Sequence, residues 1–185
     1  MSLHSTPDIK LDLMCPYMVE TAFNYFMTAQ TASHKKGVIQ NVLSALSIEI
    51  IIKSYYAVIS DKKGSIDERY KIEKEYQTRS HNLRDMLEKL PPRIREYLFS
   101  ESDLIIISRN PEIFQNSRYL YEPGVSSSSL DALDRLAASV IYKTVMLYKH
   151  NECEDSFISL FGREGFDSYN FYRLYVSKIS GYAYV

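Results

Sequence analysis

The apolar residues of the N-terminal part of the chain recur at helical spacing. Between residues 16 and 31 they return every three or four positions, which is the spacing of one helix face. The predicted buried face consists of Met18, Ala22, Tyr25, Phe26 and Ala29. A proline at position 16 suits the first helical turn, because the amide hydrogen that proline lacks has no partner there. The pattern predicts a helix over residues 16–31, with residues 1–15 as a lead-in segment.

Residues 36–60 are apolar on nearly all sides and form the strongest hydrophobic segment of the chain. The segment is long enough for a membrane span, but Asn41, Glu49 and Lys53 interrupt it. Charges at the middle of a bilayer are costly, so a transmembrane helix is disfavoured and no membrane partner is expected. The segment is predicted to be a central, heavily buried helix.

Shorter segments follow with mixed patterns. Residues 61–64 are predicted to form a solvated turn, and the charge-dense residues 66–79 are predicted to form an exposed helical face. Residues 81–90 have the pattern of an amphipathic helix that a proline pair ends. The apolar run at 104–107 is predicted to be helix or buried loop, because one isolated strand would have nothing to pair with.

The segment from residue 130 to residue 148 carries a regular apolar stripe and predicts a long amphipathic helix. The stripe consists of Leu130, Leu133, Ala137, Val140, Ile141, Thr144, Val145 and Tyr148. The predicted fold is all-α, an antiparallel helical bundle of four to six helices over residues 16–150.

The C-terminal residues 151–185 are rich in tyrosine, including Tyr169, Tyr172 and Tyr175 at three-residue spacing. Tyrosine supplies a large contact area and is enriched in interfaces. Two interpretations follow: the segment packs back on the bundle, which is favoured, or it docks a partner protein. The prediction is an aromatic-rich C-terminal extension that packs on the bundle.

Composition narrows the functional classes. The chain has 22 Lys and Arg against 23 Asp and Glu, a formal net charge of −1, which disfavours a strongly basic nucleic-acid coat. Its two cysteines lie far apart without a CxxC pair, and its histidines lack zinc-site spacing, so no disulfide framework, metal site or cofactor is expected. Standard nucleotide-binding and hydrolase motifs are absent. The chain starts without a secretory pattern, which predicts a cytoplasmic protein.

Five polar residues are the candidate functional cluster. Glu49 and Lys53 stand one helical turn apart in the apolar segment and can form a salt bridge. They lie either on the one solvent-exposed stripe of that helix or in a buried polar network that reaches His81 and Arg118. His81 could instead cap the helix that follows it. Arg118 could hold Glu49 or Glu122 in a two-pronged contact, or bind phosphate.

Three stretches in this order resemble the HEPN superfamily of all-α, usually dimeric domains. They are LSALSIEIIIKSYY at residues 43–56, SHNLRDML at 80–87 and RYLYE at 118–122. The resemblance spans roughly residues 17–150. It implies a homodimer and a binding surface for RNA, a nucleotide or a partner protein, often in phage defence or toxin–antitoxin systems.

The usual activity of that superfamily is metal-independent RNA cleavage by an arginine followed four to six residues later by a histidine. No histidine follows Arg118 at that distance, and no arginine precedes any histidine at the required positions. The predicted function is therefore a non-catalytic binding and dimerisation module. The alternative is a ribonuclease with a remodelled acid–base pair, in which His81 moves the proton and Arg118 or Arg79 stabilises the phosphate.

Overall fold

The computed structural model describes residues 6–31, 37–62, 68–77, 81–109, 131–161 and 171–176. Its α-helices are α1 (Pro16–Thr31), α2 (Gly37–Lys53), α3 (Leu83–Leu87), α4 (Pro92–Leu98), α5 (Glu101–Arg109), α6 (Asp131–His150) and α7 (Ser156–Leu160). Two strands, β1 (Ala57–Asp61) and β2 (Arg69–Ile72), are followed by a 3-10 turn at Lys74–Tyr76. A π-helical turn spans Tyr172–Val176. The expectations for residues 110–130 lie outside the described residues.

The fold is all-α, as predicted, with one small two-stranded sheet. The three long helices α1, α2 and α6 pack against one another. Their buried side chains fill a common core, because each helix is apolar on the face that the other two cover. Fully buried members of that core include Phe26, Ile48, Ile51, Val140 and Tyr148.

The helix predicted over residues 36–60 ends early, at Lys53. Residues 57–61 instead form β1, which pairs antiparallel with β2 so that Ala57 lies opposite Ile72. The prediction of an exposed helical face over residues 66–79 was therefore wrong for residues 69–72, which form β2. Side chains along β2 alternate between exposed and half-buried, which is the period of a strand. Each strand supplies the partner that the other needs, and only tertiary pairing makes either one stable.

The face that α1 buries is offset from the predicted one. Val19 and Phe23 are buried together with Phe26, whereas Tyr25 is exposed and Met18 is half-buried. The helix itself was predicted with the correct bounds, because its spacing is regular. The exact buried face depends on where α2 and α6 pack against α1. The spacing of apolar residues within α1 does not specify that.

The residues predicted as helix or buried loop at 104–107 belong to α5. Ile107 is buried while Ile105 is exposed, so the helix contacts the core along a narrow face. The helix predicted over residues 81–90 is present as α3, which buries Leu83, Met86 and Leu87. None of the helices in the described parts of the chain combines the length and the apolar character that a bilayer crossing needs.

The described part of the C-terminal segment packs on the bundle through aromatic rings. The Tyr172 ring lies 5.1 Å from the Tyr142 ring of α6, and the Tyr175 ring lies 5.3 Å from the Phe26 ring of α1. Phe171 contacts Phe26 as well, at 5.7 Å. Tyr169 lies outside the described residues.

The N-terminal segment is fastened to the end of α6 by hydrogen bonds. The Leu11 amide donates to the side-chain oxygen of Asn151 at 3.0 Å, and the Asn151 side-chain nitrogen donates to the Ile9 carbonyl at 2.9 Å. Just before α1, the Cys15 amide donates to the Tyr148 hydroxyl at 3.1 Å. These contacts place residues 6–15 against α6.

Candidate functional site

Glu49 is a carboxylate in α2, the most apolar of the three long helices. Glu49 and Lys53 are the only charged residues in the sequence of α2, and Glu49 is only 2% exposed. A buried carboxylate is strongly destabilising unless positive or hydrogen-bonding groups compensate its charge. Its position therefore requires partners.

Two side chains provide that compensation. The Lys53 ammonium donates to Oε1 of Glu49 at 2.5 Å, from one helical turn further along α2. Nδ1 of His81 lies 3.0 Å from Oε1 and 2.9 Å from Oε2 of the same carboxylate. The Lys53 side chain is 29% exposed and that of His81 46% exposed, against 3% for Glu49. A buried anion thus holds two groups that both reach the surface.

The local sequence positions His81 immediately before α3. The side chain of Asn82 caps this helix by accepting hydrogen bonds from the amides of Arg84 and Asp85, at 3.0 and 3.2 Å. Asparagine is among the best N-cap residues, because its short side chain reaches the first-turn amides. His81 is therefore not the cap, which corrects that alternative, and its ring turns to Glu49 instead.

The contact with Glu49 fixes how the imidazole carries its proton. An ionised carboxylate only accepts hydrogen bonds, so Nδ1 of His81 must carry the hydrogen and donate it to Glu49. In the neutral ring the other nitrogen, Nε2, is then the basic atom, and in the charged ring it is a second donor. The arrangement can bind an anion or transfer a proton at Nε2.

Two tyrosines beside this cluster were not identified from the sequence. The Tyr56 ring stacks on the Tyr76 ring with centroids 5.2 Å apart and planes 9° from parallel. Burial, and then the charge of Glu49, raise the pKa of Tyr56. Its buried hydroxyl has no hydrogen-bond partner in the part of the chain that the structure describes. The available signal was the position of Tyr56, three residues beyond Lys53.

A second polar contact that the sequence did not reveal joins α2 to α6. The Ser44 hydroxyl donates to Oδ1 of Asp134 at 2.5 Å, and the Gln40 amide donates to the other carboxylate oxygen. Gln40 and Ser44 stand one turn apart on α2, and that spacing was the only available signal. This contact holds α2 against α6. Its residues on α2 precede Glu49 by at least five positions.

Of the five predicted cluster residues, the structure brings Glu49, Lys53 and His81 together. Arg118 and Glu122 lie outside the described residues, as does Arg79. Within the described ranges, no three His, Cys, Asp or Glu side chains are grouped so that they could hold a metal ion. Both cysteines are free, and burial raises the pKa of Cys15 to about 12.

No protein-family model matches the chain, and neither does any curated protein or solved structure. What supports a function is therefore the geometry of Glu49, Lys53 and His81. That geometry consists of one buried acceptor and two donors at hydrogen-bond distance.

Proposed function

We propose that this chain is a HEPN-like helical recognition module without catalytic turnover, which binds a phosphate group of RNA or of a nucleotide at His81 and Lys53. The observation that carries the proposal is that buried Glu49 contacts both side chains at once. A ligand then meets groups already held in place, so little side-chain entropy is lost on binding.

The charges of the cluster favour an anionic ligand once His81 is protonated. Lys53 and protonated His81 contribute two positive charges against the one negative charge of Glu49. The carboxylate is buried while both cationic side chains reach the surface, so an approaching phosphate meets the cations first. Phosphate contacts of this kind position a nucleic acid and carry no sequence information. The proposed ligand class is thus defined by phosphate and not by base sequence.

The proposal includes self-association through the outward side of α2. Ile39, Leu43, Leu46 and Ile50 recur there at the spacing of a two-helix seam. Ile39 is 52% exposed and the other three are half-buried. An uncharged apolar stripe is complementary to itself, which favours a second copy over a partner protein. A role in bacterial defence or toxin–antitoxin systems belongs to the same proposal.

Binding of a fluorescent single-stranded RNA, measured by anisotropy at low salt, tests the proposal. Lys53→Met and His81→Ala should each weaken binding about tenfold, because each removes one charge-assisted contact to phosphate. Lys71→Met is the matched control, since Lys71 is an exposed lysine on β2. It should change affinity by no more than about twofold, the size of a screened surface charge effect. Equal weakening by all three variants, or no binding by the wild type, contradicts the proposal.

A ribonuclease with a remodelled acid–base pair is the second candidate, and the Glu49–His81 contact favours it. A carboxylate that fixes the tautomer of a histidine is an arrangement suited to proton transfer at Nε2. The test is cleavage of RNA in the presence of a chelator, beside the same RNA with its 2′-hydroxyls methylated. Cleavage of only the unmodified RNA, lost in His81→Ala and reduced in Glu49→Gln, would establish the enzyme. If the RNA remains intact at high protein concentration, the ribonuclease is rejected and the non-catalytic binding module is retained.

A further inference from the structure

A cavity of about 520 Å³ separates the N-terminal segment from α4 and α6. Its lining includes the apolar residues Pro7 and Ile9 of the N-terminal segment and Lys143 of α6. Its volume lies in the range of small-molecule sites, about 300–1,000 Å³. Glu49, Lys53 and His81, which we call the Glu49 cluster, do not line this cavity, so it is a separate site.

Lys143 is a half-buried ammonium that meets a carbonyl instead of a carboxylate. Its Nζ donates to the carbonyl of Leu98, the last residue of α4, at 2.8 Å. A cation there stabilises the helix end, because the last carbonyls lack partners within the helix. An ammonium carries three hydrogens, and this bond uses one. Burial lowers the pKa of Lys143, and the charge of Asp103 only partly opposes that effect.

The second cation of the cavity is Arg93, which donates to the Asp8 carbonyl at 3.4 Å. Neither Arg93 nor Lys143 forms an ion pair with another described residue. The carboxylate that lines the cavity is Glu96. Asp103 lies beside the cavity as well, because its carboxylate accepts from the Ser100 hydroxyl and its charge acts on Lys143. Among the described residues, the two cations of the site are therefore balanced by two carboxylates.

A groove that shares Glu96 and Ser100 with the cavity provides a comparison. It has a volume of about 650 Å³ and is lined by Arg84 and Arg95 but also by Glu88, Glu96 and Glu101. Its cations are outnumbered by its carboxylates, so an anionic ligand gains nothing there. In the cavity beside Lys143 the two signs are balanced, and an anion would offset the cost of burying the ammonium.

We propose that the cavity binds a small molecule with an anionic head on an apolar body, such as an aryl carboxylate or phosphate. Lys143 contacts the head, with Arg93 as the second cation, and Pro7 and Ile9 contact the body. Tyr97 and Ser100 also line the cavity, and their hydroxyls are already engaged, because they donate to the Lys143 carbonyl at 3.2 Å and to Oδ2 of Asp103 at 2.7 Å. The site is independent of the function proposed for His81 and Lys53.

The test uses benzoate as the probe, with benzamide as its uncharged counterpart and phenyl phosphate as the alternative head. Binding to the full chain is followed by chemical-shift changes of backbone amides. Benzoate should bind at least about tenfold more tightly than benzamide, because one hydrogen bond between charged groups increases affinity by about that factor. Lys143→Met should remove that difference.

Lys149→Met is the matched control, because Lys149 is also half-buried on α6 and donates to a carbonyl, that of Phe161. Lys149 does not line the cavity, and its variant should bind benzoate as the wild type does. Glu96→Gln changes an exposed residue of α4 and should tighten benzoate binding about threefold by raising the cavity charge. Equal affinity for benzoate and benzamide, equal loss in both lysine variants, or no tightening in Glu96→Gln overturns the proposal.

Discussion

Lys53 and Lys143 are both half-buried lysines of the helical bundle, but their ammonium groups meet different acceptors. Lys53 meets the carboxylate of Glu49 at 2.5 Å, and His81 shares that carboxylate. Lys143 meets the carbonyl of Leu98 at 2.8 Å. The first ammonium is hydrogen-bonded to a full negative charge and the second to a carbonyl dipole, with the charge of Asp103 nearby. The comparison teaches that half-buried cations have different roles according to the charge that their surroundings supply.

In the Glu49 cluster the buried group is the anion, and its cations reach solvent. Removing one cation leaves the carboxylate with the other, so single variants remain suitable for binding measurements. Beside Lys143 the half-buried group is itself the cation, and the compensating charge can come from a ligand. The predictions below are ordered by the size of the expected effect on stability.

The largest effect is expected when both partners of Glu49 are removed. The double variant Lys53→Met/His81→Ala leaves a buried carboxylate uncompensated and should lower the free energy of unfolding by about 3 kcal/mol at pH 7. Adding Glu49→Gln removes the charge and should recover part of that loss. Urea denaturation of the three proteins measures both steps. A triple variant no more stable than the double variant would show that charge compensation is not the cause.

A smaller effect is expected for Lys143→Met, about 1 kcal/mol at neutral pH. The variant loses the hydrogen bond to the Leu98 carbonyl but also the cost of burying an ammonium, so the two effects partly cancel.

The same variant has an expected pH dependence. Because the folded pKa of Lys143 is lowered from 10.5, the unfolded chain holds more protons between the two values, and wild-type stability should rise there relative to the variant. The difference in unfolding free energy between wild type and variant is measured from pH 8 to pH 10.5. Both proteins contain the same tyrosines, whose titration cancels. A difference that falls with pH would contradict the prediction.

The last effects, which are no larger than that of Lys143→Met, separate two adjacent tyrosines. The Tyr55 hydroxyl donates to the Thr144 hydroxyl at 3.0 Å, so Tyr55→Phe should lose about 1 kcal/mol. The buried Tyr56 hydroxyl has no hydrogen-bond partner among the described residues, so Tyr56→Phe should be neutral or stabilising. Thermal unfolding of the two variants provides the comparison. An equal loss in both would mean that the Tyr56 hydroxyl is compensated as well.

The sequence predicted the helices whose apolar spacing repeats over several turns. The long helix α6 buries the predicted stripe residues from Leu133 to Tyr148, because regular spacing and burial depend on the same periodicity. The strand β1 was missed because its apolar residues continue the run of α2 without a break, and periodicity does not distinguish the two in so short a segment. Its partner β2 begins eight residues after β1 ends, and that pairing is a tertiary contact.

The candidate site was predictable only in part for the same reason. The contact between Glu49 and Lys53 follows from their spacing on one helix. The contact of Glu49 with His81 joins residues 32 positions apart and depends on how α3 is placed against α2. The spacing of the sequence suggested this contact but did not distinguish it from a helix cap. Asn82 resolved the choice by serving as the cap itself.

The hydrogen bond from the Cys15 amide to the Tyr148 hydroxyl has a consequence for how the chain acquires its structure during translation. The residues that it joins are 133 positions apart. An emerging nascent chain has Cys15 outside the ribosome long before Tyr148 is synthesised, so this bond at the entry to α1 forms late. Native packing of α1 against α6 therefore waits until α6 has been synthesised, and shortened nascent chains that end before α6 leave part of the apolar side of α1 uncovered.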